Sequence, residues 1–430
     1  MQHAWLDFSG IAFWLVWFLA WLSLNIAPSY FWHQRIRYGV NALVLFYLLG
    51  FKATALLLIC IYCFYGVCHF LSNIQSTNQD LSQTYISKKS IFHQISLIWY
   101  YIGFIGILLL LFTIHKGILV PPNLTWFEAQ WLPDQILKAT LATVGFSYVM
   151  LRSIDLIHSS SQTTLKVDFW DMVNYVLPFH MLTAGPIQSF KAYKQAEQAL
   201  QKQFNSHTNN SHYTFYTHPH TQRYMQGLQR IAQGLFKKYV IAASIQSIFL
   251  QNFTHQGFWF FIEIQMFYVW LYFDFSAYSD LAVGIGKTLN ISTPENFNHP
   301  LKARNLTDFW ERWHISLSQW IKVHLYLPLN LAFVRRTRNA YPLMGATLAF
   351  SCAFVLCGIW HELSWRFFMW GAFHALGLSV CNAYRTWLMR TYGGKWVRQV
   401  YMHKKWVRYL GQALTFECVA LSLLFAFYPH

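Results

Sequence analysis

Long apolar runs, interrupted by short polar islands, dominate the chain from end to end. A helix crossing a hydrocarbon core needs about 20 apolar residues, and windows approaching that length recur about ten times. They are Ile11–Ala27, Gly39–Leu49, Ala53–Leu71, Ile95–Ile114, Ile136–Ile157, Val240–Phe253, Phe258–Val283, Tyr341–Trp360, Trp365–Tyr384 and Val407–Phe427. Gly39–Leu49 and Val240–Phe253 are short for a full crossing. The pattern predicts an all-α, polytopic integral membrane protein. The first run follows Asp7 with no Lys or Arg before it, so it reads as a retained helix rather than a cleavable signal.

Two regions are neither clean spans nor ordinary loops. Phe169–Phe190 is apolar but broken by Pro178, Gly185 and Pro186. Broken backbone at membrane depth is tolerated only where protein or a water-filled cavity shields it. Asp308–Leu331 mixes Phe309, Trp310, Trp313 and Trp320 with Arg312, His314, Lys322 and His324, as expected of an interfacial or re-entrant amphipathic helix. The His-rich stretch His207–His220 reads as a flexible cytoplasmic loop, with weak metal binding as the alternative. No internal repeat is visible. The whole of residues 1–430 reads as one membrane domain: N-terminal helices over 1–115, a core over 136–384, and a basic loop with a last helix over 385–430.

Composition sharpens this picture. Hydrophobic residues make up 55%, aromatic residues 19% and charged residues 11% of the 430 positions. A soluble domain carries about 25% charged residues, so most of this surface does not face water. The net charge of +16 falls in loops between apolar runs. That is the positive-inside pattern rather than a nucleic-acid groove, and an anionic lipid leaflet is a sufficient partner. Arg35 and Arg37, Lys88 and Lys89, and the stretches Lys191–Lys238, Lys302–Arg338 and Arg385–Arg408 come out cytoplasmic. The loop with Glu128 and Asp134 comes out on the other face, as do both termini. The seven cysteines lie in apolar stretches and read as packing residues.

Ionisable residues at membrane depth are costly, so each is a functional candidate. Asp274, Ser276, Tyr278, Ser279 and Asp280 lie in FDFSAYSDLAVGIG; the two aspartates could equally cap helix ends or pair with arginines. In FWERWHISLSQW, helical spacing puts Glu311, His314 and Ser318 on one face and Arg312 on another. In GIWHELSW, His361 ends an apolar run beside Trp360 and before Glu362. Histidine exchanges protons near neutral pH with little tuning, which suits it to general acid–base work. There is no G-x-S-x-G, H-E-x-x-H or Walker-type motif.

In combination these segments resemble the membrane-bound O-acyltransferase (MBOAT) family. The resemblance is carried by GFSYVMLRSIDLI, NYVLPFHMLTAGPIQSF, GLQRIAQGLFKKYVIA and FDFSAYSDLAVGIG. It continues through PENFNHPLKARNLTDFWERWHISLSQW and GIWHELSWRFFMWGAFHALGL. Within the family the chain looks like the bacterial branch of alginate and peptidoglycan O-acetylases and the D-alanyl transfer protein of teichoic acid. The resemblance implies a helical ring with funnels from both faces and places the family's two histidines on His361 and His314. It departs at Glu362, where the family has Gly, and at Ile321–His324, where it has Phe-Arg-Asp.

The expected activity is therefore acyl transfer, acetyl or D-alanyl, from a cytoplasmic thioester to hydroxyls of an envelope glycopolymer outside the bacterial inner membrane. Acetyl-CoA or an acyl carrier protein would be the donor, docked on basic Lys302–Arg338. His361 would be the base, or would polarise the carbonyl while His314 acts on the leaving thiolate, with Asn305, Ser316 or Ser318 near the oxyanion. Glu362 would orient or tune the imidazole. No bound cofactor and no metal are expected; an extracytoplasmic esterase-like partner is. The competing expectations are a flippase of a polymer precursor and a non-catalytic scaffold. A flippase predicts repeat symmetry and does not account for two Trp-His elements.

Overall fold

The computed structural model describes residues 11–27, 29–46, 62, 65–66, 145–162, 167–182, 184–208, 218–251, 257–399 and 401–426. The expected spans Ala53–Leu71 and Ile95–Ile114, the start of Ile136–Ile157 and the centre of His207–His220 lie almost wholly outside the described residues. Among those described, the regular elements are helices. The strand-like exception is an isolated antiparallel bridge between Phe297 and Trp313.

In chain order the helices are α1 (Ile11–Asn25), α2 (described over 30–46), α3 (Phe146–Gln162), α4 (Phe169–Val176), α5 (Phe190–Thr208) and α6 (His218–Phe236). They continue with α7 (Gly257–Thr288), α8 (Leu306–Trp310), α9 (Ile315–Ile321), α10 (Leu327–Arg336), α11 (Pro342–His361), α12 (Trp365–Tyr392), α13 (Gly394–Gln399) and α14 (Lys405–Ala426). By length and composition α11 and α14 can each cross a bilayer. The chain forms two compact units: Met1–Leu228 with Gly284–Thr293, and Gln229–Val283 with Pro294–His430.

In the first unit, Leu45, Val149, Leu156, Met172, Leu177 and Phe190 form an apolar core. The broken segment foreseen over Phe169–Phe190 is present. α4 starts on Asp168, whose side chain accepts from Trp170 N, and ends before Pro178. One tight turn over Phe179–Met181 follows. The irregular backbone leaves carbonyls without helical partners, and Arg152 of α3, wholly buried, supplies them. Its Nη2 donates to Met181 O at 2.6 Å and Pro186 O at 3.3 Å, and its Nη1 to Val176 O at 3.4 Å. Asp155 accepts from Phe190 N at 2.6 Å and from the Tyr175 hydroxyl at 2.8 Å. Buried Arg37 and Glu197 form a bidentate pair at 2.8 and 2.5 Å, to which the Tyr30 hydroxyl donates at 2.9 Å.

In the second unit α11 and α12 are antiparallel neighbours whose backbones touch. A Cβ on Gly358 would collide with the Phe367 carbonyl, and one on Gly371 with the Phe354 carbonyl. Glycine at both crossings permits this approach, as small residues do between membrane helices. Pro342 starts α11, where a missing N–H costs nothing. Ser364 caps α12 by accepting from Phe367 N at 3.4 Å.

Two expectations need correction. Val240–Phe253 is not a separate span: helix runs on from α6 without a break to Leu250, through wide π-type turns over Lys237–Ala242 and Gln246–Leu250. Asp308–Leu331 is not one amphipathic helix. It is broken between α8 and α9, where His314 leaves helical backbone, and from Ile315 helix runs on through a π-type turn over Lys322–Tyr326 into α10.

Candidate active site

His314 sits at the break between α8 and α9 with φ 43° and ψ 52°, the left-handed region. Histidine enters that region more readily than most residues, yet it needs surrounding bonds to stay there. Those bonds come from the segment before α8. Asn298 N donates to Arg312 O, and Ile315 N donates to Asn296 O, each at 2.9 Å, bracketing the Phe297–Trp313 bridge. The Asn296 side chain, wholly buried, accepts from Ser316 N at 3.2 Å and Ser316 Oγ at 2.8 Å. Its amide donates to Ser279 Oγ at 3.4 Å. The His314 ring, 3% exposed, packs edge-on to Phe275 at 4.8 Å and 86°.

This geometry overturns the reading in which Glu311, His314 and Ser318 share one helix face. α8 ends at Trp310 and α9 begins at Ile315, so the helical spacing does not run through His314. Glu311 is exposed. Arg312 Nε pairs with Asp308 at 2.5 Å and Nη1 donates to Asn298 O at 3.3 Å, which closes the turn rather than facing a substrate.

His361 is the last residue of α11 and is half-buried. Its ring lies 4.7 Å from Trp360, 6.0 Å from Phe367 and 5.7 Å from Trp370, the last at 89°. The Gly358 contact holds this end of α11 against α12, so the imidazole has a fixed base. Of the two histidines, both in the second unit, His314 is buried and His361 is partly open. That is an arrangement suited to passing a proton to and from a bound hydroxyl.

The other candidates fall elsewhere. Asn305 caps α8, its Oδ1 accepting from Asp308 N at 2.9 Å. Ser318 Oγ donates to Trp313 O at 3.3 Å, and Ser316 is held by Asn296. Tyr278 is buried at 3% exposure. Asp274 pairs with Lys238, a lysine where the sequence reading offered an arginine. Asp280 is bound by Arg230 at 2.8 Å and Lys237 at 2.6 Å. Glu362 is exposed and ends α11 in extended backbone. Among the described residues no cluster of three or more His, Cys, Asp or Glu side chains could hold a metal ion.

The pattern that describes the membrane-bound O-acyltransferase family matches residues 51–425. The chain belongs to that family. Over 256 residues it is 32% identical to a probable alginate O-acetylase of Pseudomonas putida, covering 58% of this chain and 47% of that protein. It is 36% identical over 225 residues to a peptidoglycan O-acetyltransferase of Helicobacter pylori, covering 50% and 38%. To a teichoic acid D-alanyltransferase of Bacillus subtilis it is 24% identical over 292 residues, covering 66% and 68%. The chain spans about half the length of the alginate O-acetylases it matches. Members of this family are membrane proteins, and α11 and α14 are long and apolar enough to cross a bilayer.

Two contributors escaped the sequence reading. Asn296 carries the turn that sets His314, and its only sequence signal was a polar residue in PENFNHP just before the Trp-His element. His374 lies in WGAFH, quoted for the resemblance but not singled out; its position four residues after Trp370, on one helix face, was the available clue.

Proposed function

We propose that this MBOAT chain transfers an acyl group from a cytoplasmic thioester to a hydroxyl of an extracytoplasmic envelope glycopolymer in the bacterial inner membrane. The observation that carries the proposal is half-buried His361 at the end of α11, walled by Trp360, Phe367 and Trp370, with buried His314 in the same compact unit. His361 takes the proton of the acceptor hydroxyl while its oxygen bonds to the thioester carbonyl carbon. The carbon–sulfur bond then breaks, the proton passes to the departing thiolate, and ester and thiol are released. Both imidazoles are available as the carrier of that proton, and no covalent enzyme intermediate is needed. A positioned proton-transfer group contributes about 10²- to 10⁴-fold in rate.

Exposed Lys302, Arg304, Lys322, Arg335, Arg336 and Arg338 supply the positive field that an acidic donor would meet, whether the phosphates of acyl-CoA or a carrier protein. The relatives named as O-acetylases share 32% and 36% identity with the chain and the D-alanyltransferase 24%, which supports acetyl over D-alanyl. A separate extracytoplasmic esterase-like protein would complete delivery to the polymer.

The test offers labelled acetyl-CoA and a D-alanyl carrier protein in parallel to purified wild type, His361→Ala and His314→Ala. Acetyl transfer by wild type, lost in folded His361→Ala, is the expected result. Use of the D-alanyl donor alone corrects the acyl group. Full activity in His361→Ala removes His361 from the chemistry.

A further inference from the structure

His374 on α12 is 1% exposed, and the transfer chemistry leaves it without a role. Its Nε2 lies 3.0 Å from Ser422 Oγ on α14. The Ser422 hydroxyl donates its own hydrogen to the Val419 carbonyl at 2.6 Å. Ser422 Oγ is therefore the acceptor in the contact with His374. In the neutral ring Nε2 then carries the hydrogen, and Nδ1 is a bare acceptor.

That Nδ1 has no hydrogen-bond partner, and neither do the indole N–H groups of Trp310 and Trp370, both more than nine-tenths buried. The three rings pack on one another. His374 is 4.8 Å from Trp370 and 5.2 Å from Trp310, and the two indoles are 6.0 Å apart. Two donors and one acceptor in a single packed cluster are the complement that one ordered water bridges.

Trp370 is the ring common to this cluster and to the candidate active site, since it also stands edge-on to His361 at 5.7 Å and 89°. The backbones of α11 and α12 are locked together at Gly358 and Gly371. What remains free is side-chain rotation, and the Trp370 indole limits the rotation of His361. We propose that His374 is a positioning residue for His361, acting through Trp370. Ser422 fixes the His374 ring, the Nδ1 acceptor holds the Trp370 indole N–H through a bridging water, and the indole holds the catalytic imidazole. This inference rests on His361 as the proton-transfer residue.

The test measures kcat and KM for the thioester that supports turnover, with thermal stability in detergent, for His374→Phe, His374→Asn, Ser422→Ala and His361→Ala. His374→Phe keeps the ring and removes both nitrogens. It should lower kcat by about 10²-fold, the scale of a small misplacement of a reacting group, while leaving donor KM unchanged. His374→Asn places an amide oxygen near the site of Nδ1 and should recover part of that loss. Ser422→Ala should cost about 3- to 10-fold in kcat, the rate equivalent of one hydrogen bond.

A folded His374→Phe with wild-type kcat overturns the proposal. So does a loss that His374→Asn fails to recover and that matches a fall in stability. If His374→Phe does not fold, an unchanged kcat in Ser422→Ala overturns it. Full activity in His361→Ala removes the underlying reading instead, a failure seen in that arm alone.

Discussion

Both units bury paired charges and imidazoles, but the charge networks that hold irregular backbone lie in the first and the histidines of the candidate site in the second. In the first, every large charge described here is met by a partner: Arg37 by Glu197, Arg152 by three carbonyls, Asp155 by a hydroxyl and an N–H. In the second, the buried imidazoles of His314 and His374 sit among Phe and Trp rings, with His361 at the edge of the same aromatic wall. A full charge in low dielectric must be paired or it unfolds the site, so pairing of that kind fixes backbone. An imidazole can be buried neutral and still exchange a proton, so it can be enclosed without being spent on structure. The first arrangement holds irregular chain in place, and the second leaves groups able to react.

Substitutions should separate these two kinds of burial. The largest effect belongs to His361→Ala, which should reduce acyl transfer by about 10²- to 10⁴-fold with thermal stability in detergent unchanged. A parallel fall in melting temperature would place His361 with the structural polar groups and collapse the contrast. Next is Glu197→Gln. It leaves the Arg37 guanidinium buried beside a neutral amide and should cost about 3–5 kcal/mol of unfolding free energy. The protein that remains folded should turn over normally. Reduced kcat in the folded fraction would mean that this network reaches the chemistry after all.

A smaller effect tests the frame that carries the imidazole. Gly371→Val forces a side chain into the Phe354 carbonyl and separates α11 from α12. Overpacking of this kind costs about 1–3 kcal/mol, and the displacement should also lower kcat because His361 and Trp370 ride on the two helices. Retained stability together with retained kcat would show that the crossing tolerates a wider spacing than the glycines imply.

Much of this was legible in the sequence because it depends on local composition. The apolar windows gave α7, α11, α12 and α14 closely, and Pro178 and Pro186 marked the broken segment because proline cannot continue a helix. The candidate histidines were legible for the same reason: each is a polar residue beside tryptophan in an apolar setting. What escaped was set by contacts distant in sequence. The break at His314 is imposed by Asn296 and Asn298, and helical spacing alone predicts a continuous face there. The continuation of α6 past Phe236 was hidden because an exposed apolar stretch reads as a short span whichever neighbour it joins. That His374 Nδ1 is a bare acceptor depends on how Ser422, on another helix, spends its hydrogen, which no spacing rule records.

The smallest predicted effect bears on the two aspartates that the sequence offered as either functional or structural. Asp274 lies on α7 and pairs with Lys238, whose side chain is 33% exposed, so water already screens the pair. Asp274→Asn should therefore change stability by less than about 1 kcal/mol and leave acyl transfer close to wild type. Asp280 is the informative partner. At 6% side-chain exposure it is clasped by Arg230 and Lys237, and Asp280→Asn leaves two cations facing one neutral amide. Its cost should fall on stability and exceed that of Asp274→Asn, with kcat in the folded protein preserved. Steady-state kinetics on both variants decide the matter. If Asp274→Asn lowers kcat while the protein stays folded, a carboxylate joins the imidazoles in the reaction and the division between paired charge and reactive histidine must be redrawn within the second unit itself.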